Sequence, residues 1–137
     1  RQDVYSSFVK NYGEEHPDVV IESFNYANDL FDLRRFEEAK SLLRRTLPVA
    51  RRVLGENHVE ALKLRWTYAE TLYKDGGATL DDIREAVTTF EDMERTSRRV
   101  LGGAHPITTG IEGDLRKVRA ILHAREEKPS PGSTSSS

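Results

Sequence analysis

The sequence predicts an all-α fold, a right-handed α-solenoid of antiparallel helix pairs stacked side by side. Three observations predict it. The string Gly-x-x-His occurs three times in register. Apolar residues recur at steps of three and four, the period of a helix packed on one side. No stretch sustains period-two alternation, so no strands are expected.

The repeat is the strongest of these, because a fixed period defines the architecture before any single helix does. The copies are Gly13-Glu14-Glu15-His16-Pro17, Gly55-Glu56-Asn57-His58-Val59 and Gly102-Gly103-Ala104-His105-Pro106, spaced by 42 and then 47 residues. Val53-Leu54 and Val100-Leu101 precede the second and third copies, and Arg51-Arg52 and Arg98-Arg99 stand just upstream. Inside the unit, Tyr26-Ala27 matches Tyr68-Ala69, Leu30 matches Leu72, and Glu38-Ala39 matches Glu85-Ala86. The five extra residues of the second unit fall between Leu72 and Ala86, in the loop-like run Lys74-Asp75-Gly76-Gly77-Ala78-Thr79. An insertion in a turn leaves the helices in register.

The elements follow in order. Residues 1–12, with Tyr5, Phe8, Val9 and Tyr12, read as the end of a preceding repeat helix. Residues 13–54 form repeat 1: a first helix with Val20, Phe24, Ala27, Leu30 and Phe31, then a second with Phe36, Ala39, Leu42, Leu43, Leu47, Ala50 and Val53. Residues 55–101 form repeat 2, with the turn insertion at 74–79; Leu62, Trp66, Ala69, Leu72 and Tyr73 mark its first helix, and Ile83, Ala86, Phe90, Met93 and Val100 its second. Residues 102–125 are a half-repeat or capping helix with Ile111, Leu115, Val118 and Leu122 on one face. Its Arg116 and Arg119 replace the Ala and Leu of the earlier units, which suits a polar outer face. Residues 126–137 read as a disordered tail or linker. The chain starts at Arg1 and looks helical at once, so a piece of a longer protein is expected.

Each boundary has a cause. Gly13, Gly55 and Gly102 follow apolar helical residues, where glycine closes a helix in the left-handed conformation. Pro17 and Pro106 suit a first helical position, and Asp18 suits the positively polarised first turn. Thr79 with Asp82 resembles a capping box with Asp in place of Glu. Pro48 falls inside a helix and is expected to kink it or remove a hydrogen bond.

Composition narrows the function classes. The 137 residues are 36% hydrophobic and 32% charged, with 21 basic against 23 acidic side chains and a formal charge of −2, which gives no reason to expect nucleic acid or an anionic membrane. The absence of cysteine excludes disulfides, thiolate zinc sites and cysteine nucleophiles and allows a reducing compartment; the cytoplasm is the expected one. Three of the four histidines, His16, His58 and His105, lie at one place in successive units, about ten ångströms apart on the spacing of packed helices, too far to share a metal. They read as helix-start residues that cap or pack at the joint. His123 adds no motif, and no phosphate-cradling glycine loop or nucleophile elbow is present. Glu14-Glu15, Glu37-Glu38 and Asp81-Asp82 sit near helix starts, where negative charge is favourable without catalysis. No cofactor and no enzymatic activity are expected. Arg44-Arg45, Arg51-Arg52 and Arg98-Arg99 make a basic stripe on second helices, read as a solvated face balanced in part by Glu37, Glu38, Glu91, Asp92 and Glu94.

A helix-turn-helix unit with small residues at fixed places resembles the tetratricopeptide repeat. The 42-residue unit resembles the repeats of kinesin light chain. Asn25-Tyr26-Ala27-Asn28-Asp29-Leu30-Phe31-Asp32-Leu33-Arg34-Arg35-Phe36-Glu37-Glu38-Ala39 carries most of the likeness, and the joint Arg51-Arg52-Val53-Leu54-Gly55-Glu56-Asn57-His58 the rest. The turn at Arg34-Arg35 carries no glycine, and Val59 stands where the other joints have Pro. The resemblance implies that first helices line a concave groove that binds a protein or peptide. The matched positions there are Phe24 with Trp66, Asn28 with Glu70, Phe31 with Tyr73, and Asp32 with Lys74. Aromatics supply contact area at low entropic cost, and Asn can clamp a backbone through donor and acceptor together. The aromatic members read equally as core between helices. Self-association through the end repeats is a further expectation. The other reading of the chain is a regulatory repeat module packed on a catalytic or nucleotide-binding domain of the same larger protein.

Overall fold

The computed structural model describes residues 2–13, 15–55 and 57–127. Within them the chain forms six helices and no strand: α1 (Gln2–Tyr12), α2 (Pro17–Asp32), α3 (Phe36–Val53), α4 (Val59–Tyr73), α5 (Leu80–Leu101) and α6 (Pro106–Glu127). Each helix packs on the next, and α2 also packs on α4. Short connections between packed neighbours make them antiparallel, so the molecule is a helical-repeat solenoid of helix pairs. Residues 128–137, most of the expected tail, lie outside the described residues.

The joints are built as their residues dictate. Gly13, Gly55 and Gly102 have φ of 81°, 91° and 92°, the region where a Cβ is strained. After each glycine a histidine turns the chain into the next helix. The Nδ1 of His16 accepts the N–H of Asp18 at 3.0 Å, that of His58 the N–H of Glu60 at 3.0 Å, and that of His105 the N–H of Ile107 at 3.1 Å. One imidazole nitrogen thus satisfies one orphan donor of each first-type helix. Thr79 and Asp82 form the capping box at the start of α5, directly after the 74–79 insertion. The turn without glycine at Arg34 takes φ 61°, and the Arg34 guanidinium lies 5.6 Å over the Phe36 ring. α3 runs through Pro48 to Val53; Pro48 is exposed, so the Arg44 carbonyl left without its helical donor lies on the water side.

One core threads the stack. Leu42, Leu43, Leu62, Leu64, Leu72, Ile83, Phe90, Met93, Ile111 and Val118 belong to a single buried cluster. Burying each large apolar side chain is worth roughly 1.5–3 kcal/mol. The matched alanines Ala27, Ala39, Ala69 and Ala86 are all fully buried, so small residues at fixed places let the helices approach. Ser97 and Thr108 share a buried hydrogen bond of 2.5 Å between α5 and α6.

The arginines of the second helices tie units together. Arg44 of α3 donates through Nε to the Tyr68 hydroxyl of α4 at 2.9 Å and through Nη2 to Glu85 of α5 at 3.3 Å; the Tyr68 hydroxyl also donates to Glu85. Arg52 reaches back to Glu15 at 2.5 Å, and Arg99, its counterpart one unit on, reaches back to Asn57 at 3.3 Å. The Arg52 guanidinium holds the Glu15 carboxyl below the usual carboxylate range. Arg98 pairs with Glu94 and Glu112, and Arg119 with Glu91 at 2.9 Å. Of the acids expected to balance the stripe, Glu94 meets Arg98, whereas Glu37 meets Lys40, Glu38 meets Arg35, Asp92 meets Arg95 and Glu91 meets Arg119.

Candidate functional site

Among the first-type helices, α2 packs directly on α4, and α4 meets α6 through the Trp66 side chain. The second-type helices α3 and α5 approach less closely and meet through the long side chains of Arg44–Glu85 and Lys40–Asp82. The eight residues singled out from sequence lie along α2 and α4 and just past the end of α4, and they divide into ties and free ends.

The ties come first. The Asn28 Oδ1 accepts the Thr67 hydroxyl at 3.2 Å, across the seam between α2 and α4. Trp66, half-buried, donates from Nε1 to the Asp114 carboxylate at 2.6 Å and so joins α4 to α6. Its ring rests on Gly110, where an added Cβ would lie 2.6 Å from the tip of the indole. Phe24 is half-buried against the core. The Phe31 ring stands edge-on to Phe36 with centroids 5.2 Å apart. Tyr73 packs edge-on to Phe90 at 6.0 Å. Its hydroxyl is buried and has no hydrogen-bond partner among the described residues. Burial, with the carboxylates of Asp114 and Glu70 nearby, pushes its ionisation well above the usual phenol range.

The free ends are polar. Asp32 and Lys74 are exposed at corresponding ends of α2 and α4. Lys74 pairs with Glu70 at 3.1 Å and lies 5.9 Å over the Phe31 ring, so Phe31, Glu70 and Lys74 form one patch across the seam. Asp32 borders a cavity of about 410 Å³ together with Tyr26, Asp29, Leu33 and Arg35, and Leu33 is the most exposed large apolar side chain, at 65%. Among the described residues no group of three acidic or histidine side chains could hold a metal.

Sequence reasoning missed Thr67, Gly110 and Asp114, the partners that occupy Asn28 and Trp66. A glycine inside the helical pattern at position 110 is a signal of close packing. Nothing local announces Asp114, 48 residues from Trp66. The clamp of Arg44, Tyr68 and Glu85 was also missed; its members come from three different helices.

Among the described residues no helix is long and apolar enough to cross a membrane. No curated protein matches the chain. Residues 25–60, from the middle of α2 through the second joint to the start of α4, match the tetratricopeptide repeat family. Such repeats are in general non-catalytic modules that mediate protein–protein interaction and typically bind proteins or peptides. The match and the stacked helix pairs together support a tetratricopeptide repeat protein.

Proposed function

We propose that the chain is a protein-interaction scaffold whose row of first helices, α2, α4 and α6, forms the inner wall of a groove that holds a peptide or helical segment of a partner protein. The observation that carries this reading is the direct packing of α2 on α4, set against the wider gap between α3 and α5. α2 lies against α4, whereas α3 and α5 are bridged by long side chains, and such a difference bends a stack toward its closer layer. Asp32, Glu70 and Lys74 supply charged handles on that wall, beside the Phe31 ring. Phe24, Asn28, Trp66 and Tyr73 hold the wall's shape, and a guest would meet their edges. The 42-residue period and the Val-Leu-Gly-x-x-His joint support reading the units as the kinesin light chain kind of repeat. The near-neutral charge and the cysteine-free sequence favour a protein partner in the cytoplasm over nucleic acid or membrane.

A photo-reactive residue placed at Asp32 or Lys74, with a control at exposed Arg51 of α3, tests this reading. Crosslinks from 32 and 74 to one common polypeptide are expected. Crosslinks from position 51 alone would place the partner on the outer layer and refute the groove.

A further inference from the structure

Most arginines of the second helices are tied to partners, and Arg45 of α3 departs from them. Arg44 meets Tyr68 and Glu85, Arg52 meets Glu15, Arg98 meets Glu94 and Glu112, and Arg99 meets Asn57. The Arg45 side chain has no ion pair or hydrogen bond among the described residues, and neither has that of Lys10 on α1. Both border one cavity of about 360 Å³, together with Tyr5, Ser6 and Val9 of α1. α1 and α3 each pack on α2, and the cavity lies between them. The next gap along the stack, between α3 and α5, gives the comparison. In the repeat register Arg45 corresponds there to Asp92, and Ser6 to Pro48. Asp92 is paired with Arg95. The repeat therefore does not dictate this cationic cavity. It arises where facing helices depart from their own unit, with a cation in place of a carboxylate and a hydroxyl in place of a ring that has no donor.

We propose that the cavity between α1 and α3 binds a phosphate monoester, presented as a phosphorylated side chain of a partner protein. The Arg45 guanidinium can offer two parallel N–H donors to a phosphate, Lys10 adds a second positive charge, and the Ser6 hydroxyl adds a further donor. Two positive charges with donors from three side chains match a dianion that carries three acceptor oxygens. A carboxylate, with one charge and two oxygens, leaves part of that set idle. Tyr5 and Val9 supply an apolar side against which the carbon stem of the phosphorylated residue packs. The surroundings select a single phosphate over an extended anionic surface. Arg45 also borders an adjoining cavity of about 340 Å³ with Glu37 and Glu38, both exposed. Their charges lie within reach of anything spread across this face, and they repel a membrane or a nucleic-acid backbone. The site is separate from the groove on the first helices and does not rest on that reading.

The probe is N-acetyl-phosphoserine amide, titrated into the isotope-labelled whole chain at fixed ionic strength and followed by backbone amide shifts. Saturable shifts are expected at Ser6 and Lys10 of α1 and around Arg45 of α3, and none with the unphosphorylated compound. Arg45→Gln should weaken binding by about tenfold or more, the equivalent of losing a hydrogen bond to a charged group. Ser6→Glu, which sets a carboxylate in the cavity, should weaken it too. Both positions are exposed, so both variants should keep the melting temperature of the unmodified chain. Arg51→Gln removes an equally exposed arginine of α3 that does not border the cavity, and should leave binding unchanged. The proposal is overturned if the probe does not bind, if its unphosphorylated form binds as well, or if Arg51→Gln weakens binding as much as Arg45→Gln. It is also overturned if inorganic phosphate saturates the site and the probe does not, because the ligand would then be a free ion. Arg45-dependent sedimentation with vesicles of phosphatidylcholine and phosphatidic acid, without binding of the probe, would assign the cavity to a lipid headgroup instead.

Discussion

Gly110→Ala sets two effects against each other, and the geometry decides between them. Alanine in place of glycine inside α6 would ordinarily stabilise a helix by about 0.8–1.0 kcal/mol. Here the new methyl would stand 2.6 Å from the tip of the Trp66 ring and 3.2 Å from the adjacent ring carbon. The ring cannot simply swing aside, because its Nε1 is held at 2.6 Å by Asp114. Making room means giving up a hydrogen bond to a charged group, worth about 1.5–3 kcal/mol, or overpacking the seam at about 1–3 kcal/mol. The balance is a net loss of up to about 2 kcal/mol, or up to roughly 8 °C in melting temperature for a chain of this size. Thermal unfolding followed by circular dichroism measures it. Trp66 is the sole tryptophan, so its emission reports the same seam directly. In a Trp66→Leu background the obstacle is gone, and Gly110→Ala should then stabilise by about 1 kcal/mol. A rise in melting temperature for Gly110→Ala in the unmodified chain would refute the reasoning, because Trp66 would not then be seated on α6.

Substitutions at three further positions probe a joint, a buried hydroxyl and the clamp. His58→Ala should cost about 1 kcal/mol in thermal unfolding by stripping the cap of α4, and His58→Asn should restore most of it; equal losses for both would mean that the ring acts by packing. Tyr73→Phe should leave stability unchanged or raise it by up to about 1 kcal/mol in thermal unfolding, since it removes a buried hydroxyl that has no partner among the described residues; a clear loss of stability would show that the hydroxyl is satisfied. Burial and the hydrogen bond to Glu85 push the Tyr68 phenol up to about 12 from 10.0. The folded state therefore holds this proton where the unfolded state has lost it, so the associated stability is complete below about pH 10 and is lost as the pH rises through 12. Alkaline unfolding of Tyr68→Phe should show a shallower fall over that window, and an unaltered slope would remove Tyr68 from the account.

What could be read from the sequence was what is fixed locally or by period. The joint glycines, the capping histidines and the Thr79–Asp82 box act within a few residues of themselves, so residue type and spacing disclose them. The buried alanines were legible because the repeat states them twice. Trp66 and Asn28 could not be assigned in the same way. Periodicity says that they share a face of their helices, but whether that face meets a guest or the next helix depends on Asp114 and Thr67, which no local rule connects to them. Arg44 reads as one more solvated charge until the fold brings Tyr68 and Glu85 beneath it. Arg34 shows the opposite case: the chain needs a left-handed residue at that turn, and an arginine adopts the conformation with its guanidinium over Phe36.

The central claim is that the first helices form one continuous wall, and the seam between α2 and α4 tests it most directly. The chain has no cysteine of its own, so Asn28→Cys with Thr67→Cys creates a single defined pair. The native side chains at these positions meet at 3.2 Å. A short bis-maleimide should join the two cysteines within one molecule in the folded state and fail to do so after denaturation. Bridging only between molecules, or none in the folded chain, would mean that the two helices do not stand side by side.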